Sequence, residues 1–173
     1  MTFLEYSALA LFLITSGLQF SVSACQNIAR DIGRVTLYLH GSHDRWNEQI
    51  QILHESLIPD NLFLAFVGYR VSFVTAVLLL FFAFGWIWAV LGISILFFVF
   101  PIIFSITPHI MPRYYQRVLK NIQDYVSENR IKIQQKIDDC SVSIDHVSEV
   151  IEAGIAGRRN IGLWYAELKN APS

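Results

Sequence analysis

Residues Val71 to Pro108 read VSFVTAVLLLFFAFGWIWAVLGISILFFVFPIIFSITP, and this stretch contains no charged side chain. One α-helical crossing of a bilayer takes roughly 20 apolar residues, so the stretch is nearly long enough for two crossings. Its middle contains Gly85, Trp86 and Trp88. Glycine permits a tight turn, and tryptophan favours the membrane–water interface. The stretch therefore predicts a transmembrane hairpin whose first helix ends near Phe84.

The composition of the whole chain supports a membrane protein. Of its 173 residues, 54% are hydrophobic and 16% are charged, whereas globular chains are about one quarter charged. The net charge of −1 argues against a nucleic-acid-binding protein. The two cysteines, Cys25 and Cys140, are too few for a disulfide framework or a cysteine-rich metal site.

A second apolar segment lies at the start of the chain, over residues 3–25. It fits a transmembrane helix, but Val22-Ser23-Ala24-Cys25 also fits the small-residue pattern of a lipoprotein cleavage site. Export signals usually carry a Lys or Arg near their start, and this chain has none before residue 30. We therefore predict a first transmembrane helix within residues 1–25.

The distribution of the 13 Lys and Arg residues predicts the orientation. Apart from Arg70, all of them lie in 26–61 or 109–173, and cytoplasmic loops are the ones enriched in Lys and Arg. We therefore predict an all-α integral membrane protein of the bacterial inner membrane. Its three transmembrane helices (one in 1–25, two in 62–108) leave the N-terminus outside and the C-terminus in the cytoplasm. The two basic segments form a cytoplasmic helical bundle.

Two apolar stripes at helical spacing predict helices in the first cytoplasmic segment. One ends at His40-Gly41, since glycine commonly terminates helices. The other starts after a possible cap at Asp44 and stops at Ile58-Pro59, because the residue before proline avoids helical angles. The stripes are formed by Ile28, Ile32, Val35 and Leu39, and by Trp46, Ile50, Leu53 and Leu57.

The C-terminal segment carries a long apolar seam that predicts one amphipathic helix from Leu119 to Ile151, followed by a short helix around Trp164. The seam can pack against the other cytoplasmic helices or, as in a coiled coil, against copies of itself, with the polar Asn129 setting the register. The predicted oligomer seam comprises Leu119, Ile122, Val126, Asn129, Ile133, Ile137, Ile144 and Val147.

Histidines provide the only cluster of metal-ligand types, at His40, His43 and His54. Three histidines can bind zinc, but the intervening glycine gives a loop spacing, so we expect solvated side chains and no metal or cofactor. The sequence also contains neither a GxSxG nucleophile elbow nor a lysine-containing phosphate loop. We therefore expect a protein that is not an enzyme.

Arg70 lies at the start of the hairpin, where a charge inside the bilayer is costly. Its side chain can extend back to the cytoplasmic interface, which is the favoured interpretation, or it can face a pore or a partner. The residues with a possible pore-facing or partner-facing role are Arg70, Ser72, Thr75, Ser94 and Ser105.

These patterns lead to a non-enzymatic, homo-oligomeric inner-membrane protein as the functional hypothesis, with a pore or permeability role controlled through the cytoplasmic helices. The alternative is an accessory or scaffold subunit of a larger membrane complex, or a membrane immunity or exclusion protein. The expected partners are the lipid bilayer, further copies of the chain and a cytoplasmic or membrane protein, but no nucleic acid.

Overall fold

The computed structural model describes residues 3–41, 45–94, 111–157 and 160–171, and every regular element in these ranges is an α-helix. The prediction of an all-helical fold is therefore confirmed. The helices are α1 (Phe3–His40), α2 (Trp46–Ser56), α3 (Asp60–Phe84), α4 (Trp86–Ser94), α5 (Pro112–Glu128), α6 (Arg130–Ile137), α7 (Ile144–Ala156) and α8 (Ile161–Asn170).

The chain divides into two compact units. Unit 1 comprises Met1–Ser23 and Asp60–Ile110, and unit 2 comprises Ala24–Pro59 and Met111–Ser173. Helix α1 contributes residues to both units, because the division falls within it. Each boundary lies two residues from one of the predicted segment boundaries, which fall after residues 25, 61 and 108.

The turn between α3 and α4 in unit 1 consists of a single residue, Gly85. Its φ angle of +87° lies in the left-handed region that favours glycine, and α3 ends at Phe84 as predicted. Gly92 on α4 then packs tightly, because a Cβ atom there would lie 3.3 Å from both Leu80 and Phe12. The small residue at position 92 thus lets α4 approach α3 and α1.

One helix of the described residues is a candidate membrane span. Within the described residues, the helix over Glu5–His40 is long and apolar enough to cross a bilayer, and the apolar run over Phe73–Phe84 is shorter. A core helix or a signal sequence passes the same test. Most of the predicted third crossing lies outside the described residues. The three-crossing arrangement therefore stays a prediction.

In unit 2, α1 continues past Ser23 and ends at His40, as the glycine at position 41 predicts. Helix α2 packs against it where Gly33 meets Leu53, and a Cβ added to the glycine would lie only 3.3 Å from the leucine Cβ. Helix α2 ends at Ser56, before Pro59, as predicted. Its N-cap is Arg45, which adopts a left-handed conformation with φ 57°, while Asp44 lies outside the described residues.

The prediction of one long amphipathic helix is wrong, because the segment forms α5, α6 and α7. The first break is at Asn129, whose side-chain amide donates a hydrogen bond to the Tyr125 carbonyl at 3.0 Å and so caps α5. The second break ends at Ser143, which starts α7 through a capping box with His146. These breaks let the three helices fold onto one another instead of extending as one rod.

The apolar residues of the seam form the core of unit 2. Leu119, Ile137 and Val147 are fully buried, and Gly154 allows the close contact of α7 with α5, since a Cβ there would lie 3.2 Å from Leu119. The other apolar seam residues, Ile122, Val126, Ile133 and Ile144, are buried as well. The seam therefore packs against the chain's own helices, and its association with further copies of the chain stays a prediction.

Candidate functional site

The most distinctive surface of the molecule is the exterior of unit 1, which is formed by large apolar side chains. Phe82 is 72% exposed, Leu13 69% and Trp86 66%. Among the described residues, all but four of the exposed large apolar side chains belong to this unit, the exceptions being Leu39, Met111, Ile131 and Leu163. A water-soluble protein rarely exposes so many large apolar side chains on one unit.

Several hydroxyl groups in unit 1 bond to the backbone of their own helix. Thr15 is buried and its hydroxyl donates to the Leu11 carbonyl at 2.8 Å. Thr75 donates in the same way to Val71 at 3.0 Å. Unit 1 thus combines an apolar exterior with several hydroxyl groups that are satisfied within their own helices, as a hydrocarbon environment requires, while the buried Ser16 hydroxyl has no hydrogen-bond partner among the described residues.

The residues predicted to face a pore are only partly described. Thr75 on α3 is exposed, and Ser94 on α4 is half-buried. The side chains of Arg70 and Ser72 and the whole of Ser105 lie outside the described residues. Among the predicted residues with described side chains, the structure does not show a shared pore-facing surface. Their role stays a prediction.

Unit 2 contains a polar junction where the N-terminus of α8 meets α1 and α5; we call it the α8 junction. Helix N-termini leave backbone N–H groups without helical partners. Here the Asn160 side chain accepts hydrogen bonds from the N–H groups of Gly162 at 2.9 Å and Leu163 at 3.4 Å. The Tyr115 phenol oxygen accepts one from Ile161 at 2.9 Å. Three backbone donors are therefore satisfied at this end of α8.

Asp31 of α1 lies against the same end of α8. Its Oδ2 atom approaches so closely that a Cβ added to Gly162 would lie 2.7 Å from it. Burial raises the pKa of the Asp31 carboxyl, while the positive charges of Arg34 and Arg30 act in the opposite direction. A carboxylate at a helix N-terminus also interacts favourably with the helix dipole, so Asp31 adds an electrostatic contact to the junction.

Aromatic residues extend the contact between α1 and α8. The Tyr38 hydroxyl donates a hydrogen bond to the Leu168 carbonyl at 2.9 Å, and its ring meets Tyr165 edge-on with centroids 6.3 Å apart. Arg34 lies 5.7 Å above the Tyr165 ring and 3.3 Å from Asp31. These groups hold α8 along its length, since only Ile161 of that helix is fully buried.

The candidate histidines are not brought together. His40 stacks on His146 with centroids 4.1 Å apart and lies 3.7 Å from Glu149. His54 instead lies near Gln26 and Arg30 of α1, and position 30 is about 15 Å from position 40 along that helix. His43 lies outside the described residues, and in the described part of the chain no three ligand-type side chains are grouped for a metal.

Sequence reasoning misses the α8 junction altogether. Two of its hydrogen bonds join residues that are far apart in the chain, with separations of 46 and 130 positions. No local sequence pattern predicts such contacts. One signal is available, namely Asn160 directly before an apolar helical stripe, which is typical of an N-cap. The polar groups of the α8 junction bond to backbone atoms and to one another. The junction therefore holds α8 in place against α1 and α5.

Comparison with known proteins found no matching family model, curated protein or solved structure.

Proposed function

We propose that this protein is a non-enzymatic integral protein of the bacterial inner membrane, in which unit 1 is embedded in the bilayer and unit 2 is a cytoplasmic helical bundle that serves as an accessory or scaffold subunit. The observation that carries the proposal is the apolar exterior of unit 1. Exposed apolar area in water costs roughly 25 cal/mol per Å², and lipid removes this cost.

The charges support the same assignment. The uncharged stretch 71–108 belongs to unit 1, whereas all Lys and Arg residues except Arg70 belong to unit 2. Since Lys and Arg accumulate on the cytoplasmic side of membrane proteins, the proposal places unit 2 in the cytoplasm. Three crossings are consistent with both parts of unit 2 lying on that side.

The hydrogen bonding of the predicted pore residues favours the accessory role over the pore. The Thr75 hydroxyl, one of the two pore candidates with a described side chain, is bonded to its own backbone at Val71. The apolar seam of unit 2 is buried within the chain, so this bundle is folded without a second copy and its polar surface is available to a partner. Self-association through other surfaces stays a prediction.

Two measurements test the proposal. Membranes from cells that express the protein are washed with alkaline carbonate, and the proposal expects the chain to remain in the lipid pellet. Release into the supernatant would contradict membrane insertion. The detergent-purified protein is then reconstituted into liposomes for an ion-flux assay, where the accessory role predicts no flux above protein-free liposomes. Flux that is lost in Thr75→Val would favour the pore instead.

A further inference from the structure

The outward face of α5 carries a strip of three basic side chains, Arg113, Arg117 and Lys120, which we call the α5 basic strip. They are spaced by four and three positions, so they share one face of the helix. All three are exposed, and the opposite face, which includes Tyr115 and Ile122, is buried in unit 2. The strip therefore lies on the exposed face of a helix whose opposite face packs against the rest of unit 2.

The cations of this strip are not used within the described part of the fold. Three other arginines in unit 2 are paired: Arg34 with Asp31, Arg45 with Glu48, and Arg130 with Asp145. Within the described ranges, no ion pair involves any residue of the α5 basic strip. Its positive charge is thus available to an external anionic group.

Charge is also segregated along α5. The basic strip occupies the first half of the exposed face, and the acidic residues Asp124 and Glu128 occupy the end of the helix. The helix N-terminus adds partial positive charge to the basic half, and no acidic side chain lies in the first turn. The positive end is therefore the one that follows directly on unit 1 in the chain.

Chain length keeps this positive end close to unit 1. Arg113 is three residues beyond Ile110, the last residue of unit 1, and three residues span at most about 10 Å. Arg117 and Lys120 follow at about 6 Å and about 10 Å along the helix. If unit 1 lies in the bilayer, Arg113 lies within about 10 Å of the last residue of unit 1, and the whole strip reaches the lipid headgroups if α5 runs along the membrane surface.

We infer that the α5 basic strip binds the headgroups of anionic phospholipids in the cytoplasmic leaflet. This inference rests on the proposed membrane location of unit 1 and adds a specific lipid partner to it. The attraction is electrostatic, and each Lys or Arg near an anionic bilayer surface strengthens binding by about fivefold. The half-exposed Met111 and the neighbouring Tyr114 give the strip an apolar and aromatic border suited to the interface.

The test uses the full-length protein in an uncharged detergent, titrated with short-chain phosphatidylglycerol or phosphatidylcholine. The wild type is expected to bind phosphatidylglycerol more tightly. Arg117→Gln/Lys120→Gln is expected to weaken that binding roughly thirty-fold, because two cations are lost. The matched control is Lys136→Gln/Lys169→Gln, which removes two exposed cations elsewhere in unit 2 and is expected to bind as the wild type does.

Three results would overturn the inference: equal affinity of the wild type for both lipids, equal losses in the two double variants at unchanged helicity, or competition by glycerol phosphate at the concentrations where the lipid acts. The last would show a site for free phosphate. Carbonate extraction separates this inference from the proposed function. A chain that stays in the membrane but shows no preference for phosphatidylglycerol contradicts the lipid site alone, whereas a chain released by carbonate contradicts the proposed function.

Discussion

The phenol oxygen of Tyr115 accepts a hydrogen bond from the backbone N–H of Ile161 at 2.9 Å, and the contact is buried. It links the first turn of α5 to the first residue of α8, 46 positions later in the chain. Burial raises the pKa of the Tyr115 hydroxyl to about 12, so the neutral phenol persists at physiological pH. The α8 junction therefore depends on a polar contact that an apolar replacement cannot reproduce.

Tyr115→Phe should lower the stability of the protein by about 1–3 kcal/mol, because it leaves the buried N–H of Ile161 without an acceptor. The ring and its packing are retained. The measurement is denaturant unfolding in detergent, followed by circular dichroism. Tyr165→Phe is the control, since its hydroxyl makes no hydrogen bond within the described residues. Equal midpoints for both variants would show that the Tyr115 contact contributes nothing.

Gly162→Ala should destabilise the protein by about 1 kcal/mol, because the new Cβ would lie 2.7 Å from the Asp31 carboxylate. Most of the effect should disappear in an Asp31→Ala background, where only the Asn160 Oδ1 atom remains close to the new Cβ, at 3.3 Å. The double-mutant cycle is measured by thermal unfolding. Gly17→Ala is the control, since a Cβ there meets nothing within 4 Å. The same loss in both backgrounds would rule out the clash as its cause.

Asp31→Asn should be more stable than the wild type at pH 7. Burial raises the Asp31 pKa above its ordinary value of 3.8, so the folded state binds this proton more tightly than the unfolded state. The wild type therefore loses stability as the pH rises from about 4 through the folded-state pKa. Thermal midpoints of both proteins from pH 4 to 8 should converge at the acidic end. A less stable Asp31→Asn at pH 7 would mean that the Arg34 ion pair outweighs burial.

His54 should make the protein sensitive to acid. Its pKa is lowered, mainly by burial and further by the charge of Arg30, and its Nε2 atom is buried without a hydrogen-bond partner among the described residues. The stability that depends on the neutral ring is present above pH 6.5 and is lost as the pH falls through the lowered pKa. His54→Gln should reduce the fall in thermal midpoint between about pH 7.5 and about pH 5. Parallel profiles for the two proteins would contradict this role.

Local signals predict much of the helix plan. Gly41 marks the end of α1, Pro59 follows the end of α2, and Gly85 makes the turn after α3. Each of these residues acts through the conformation of its own backbone, so a single sequence is enough to predict these helix ends. The helix around Trp164 is also predicted correctly, in this case from the spacing of its apolar residues.

The division of the predicted long helix escapes sequence reasoning because apolar spacing continues across both breaks. Asn129 occupies a seam position that favours a register-setting role, yet it caps α5 through the Tyr125 carbonyl. The Ser143–His146 capping box is an available start signal for α7. Periodicity indicates which residues are buried, and it does so correctly for Leu119 and Val147, but it does not indicate where the helix turns.

The α8 junction is unpredictable for a different reason. Asp31, Tyr115 and Gly162 come from three separate helices, and each looks ordinary in its own segment. Only the packing of α1, α5 and α8 makes the Gly162 backbone the neighbour of a partly buried carboxylate. Contacts of this kind depend on tertiary structure, which a single sequence without a matching family does not reveal.

In the proposed topology, unit 1 spans the membrane, and the α3–α4 turn and unit 2 lie on opposite sides of it. Single cysteines are introduced by Trp88→Cys and Ser127→Cys, both exposed positions, after Cys25 and Cys140 are replaced by serine. Intact cells and inverted membrane vesicles are then treated with an impermeant thiol reagent. The account predicts that position 88 is labelled only in cells and position 127 only in inverted vesicles. Labelling of both positions from the same side would contradict it.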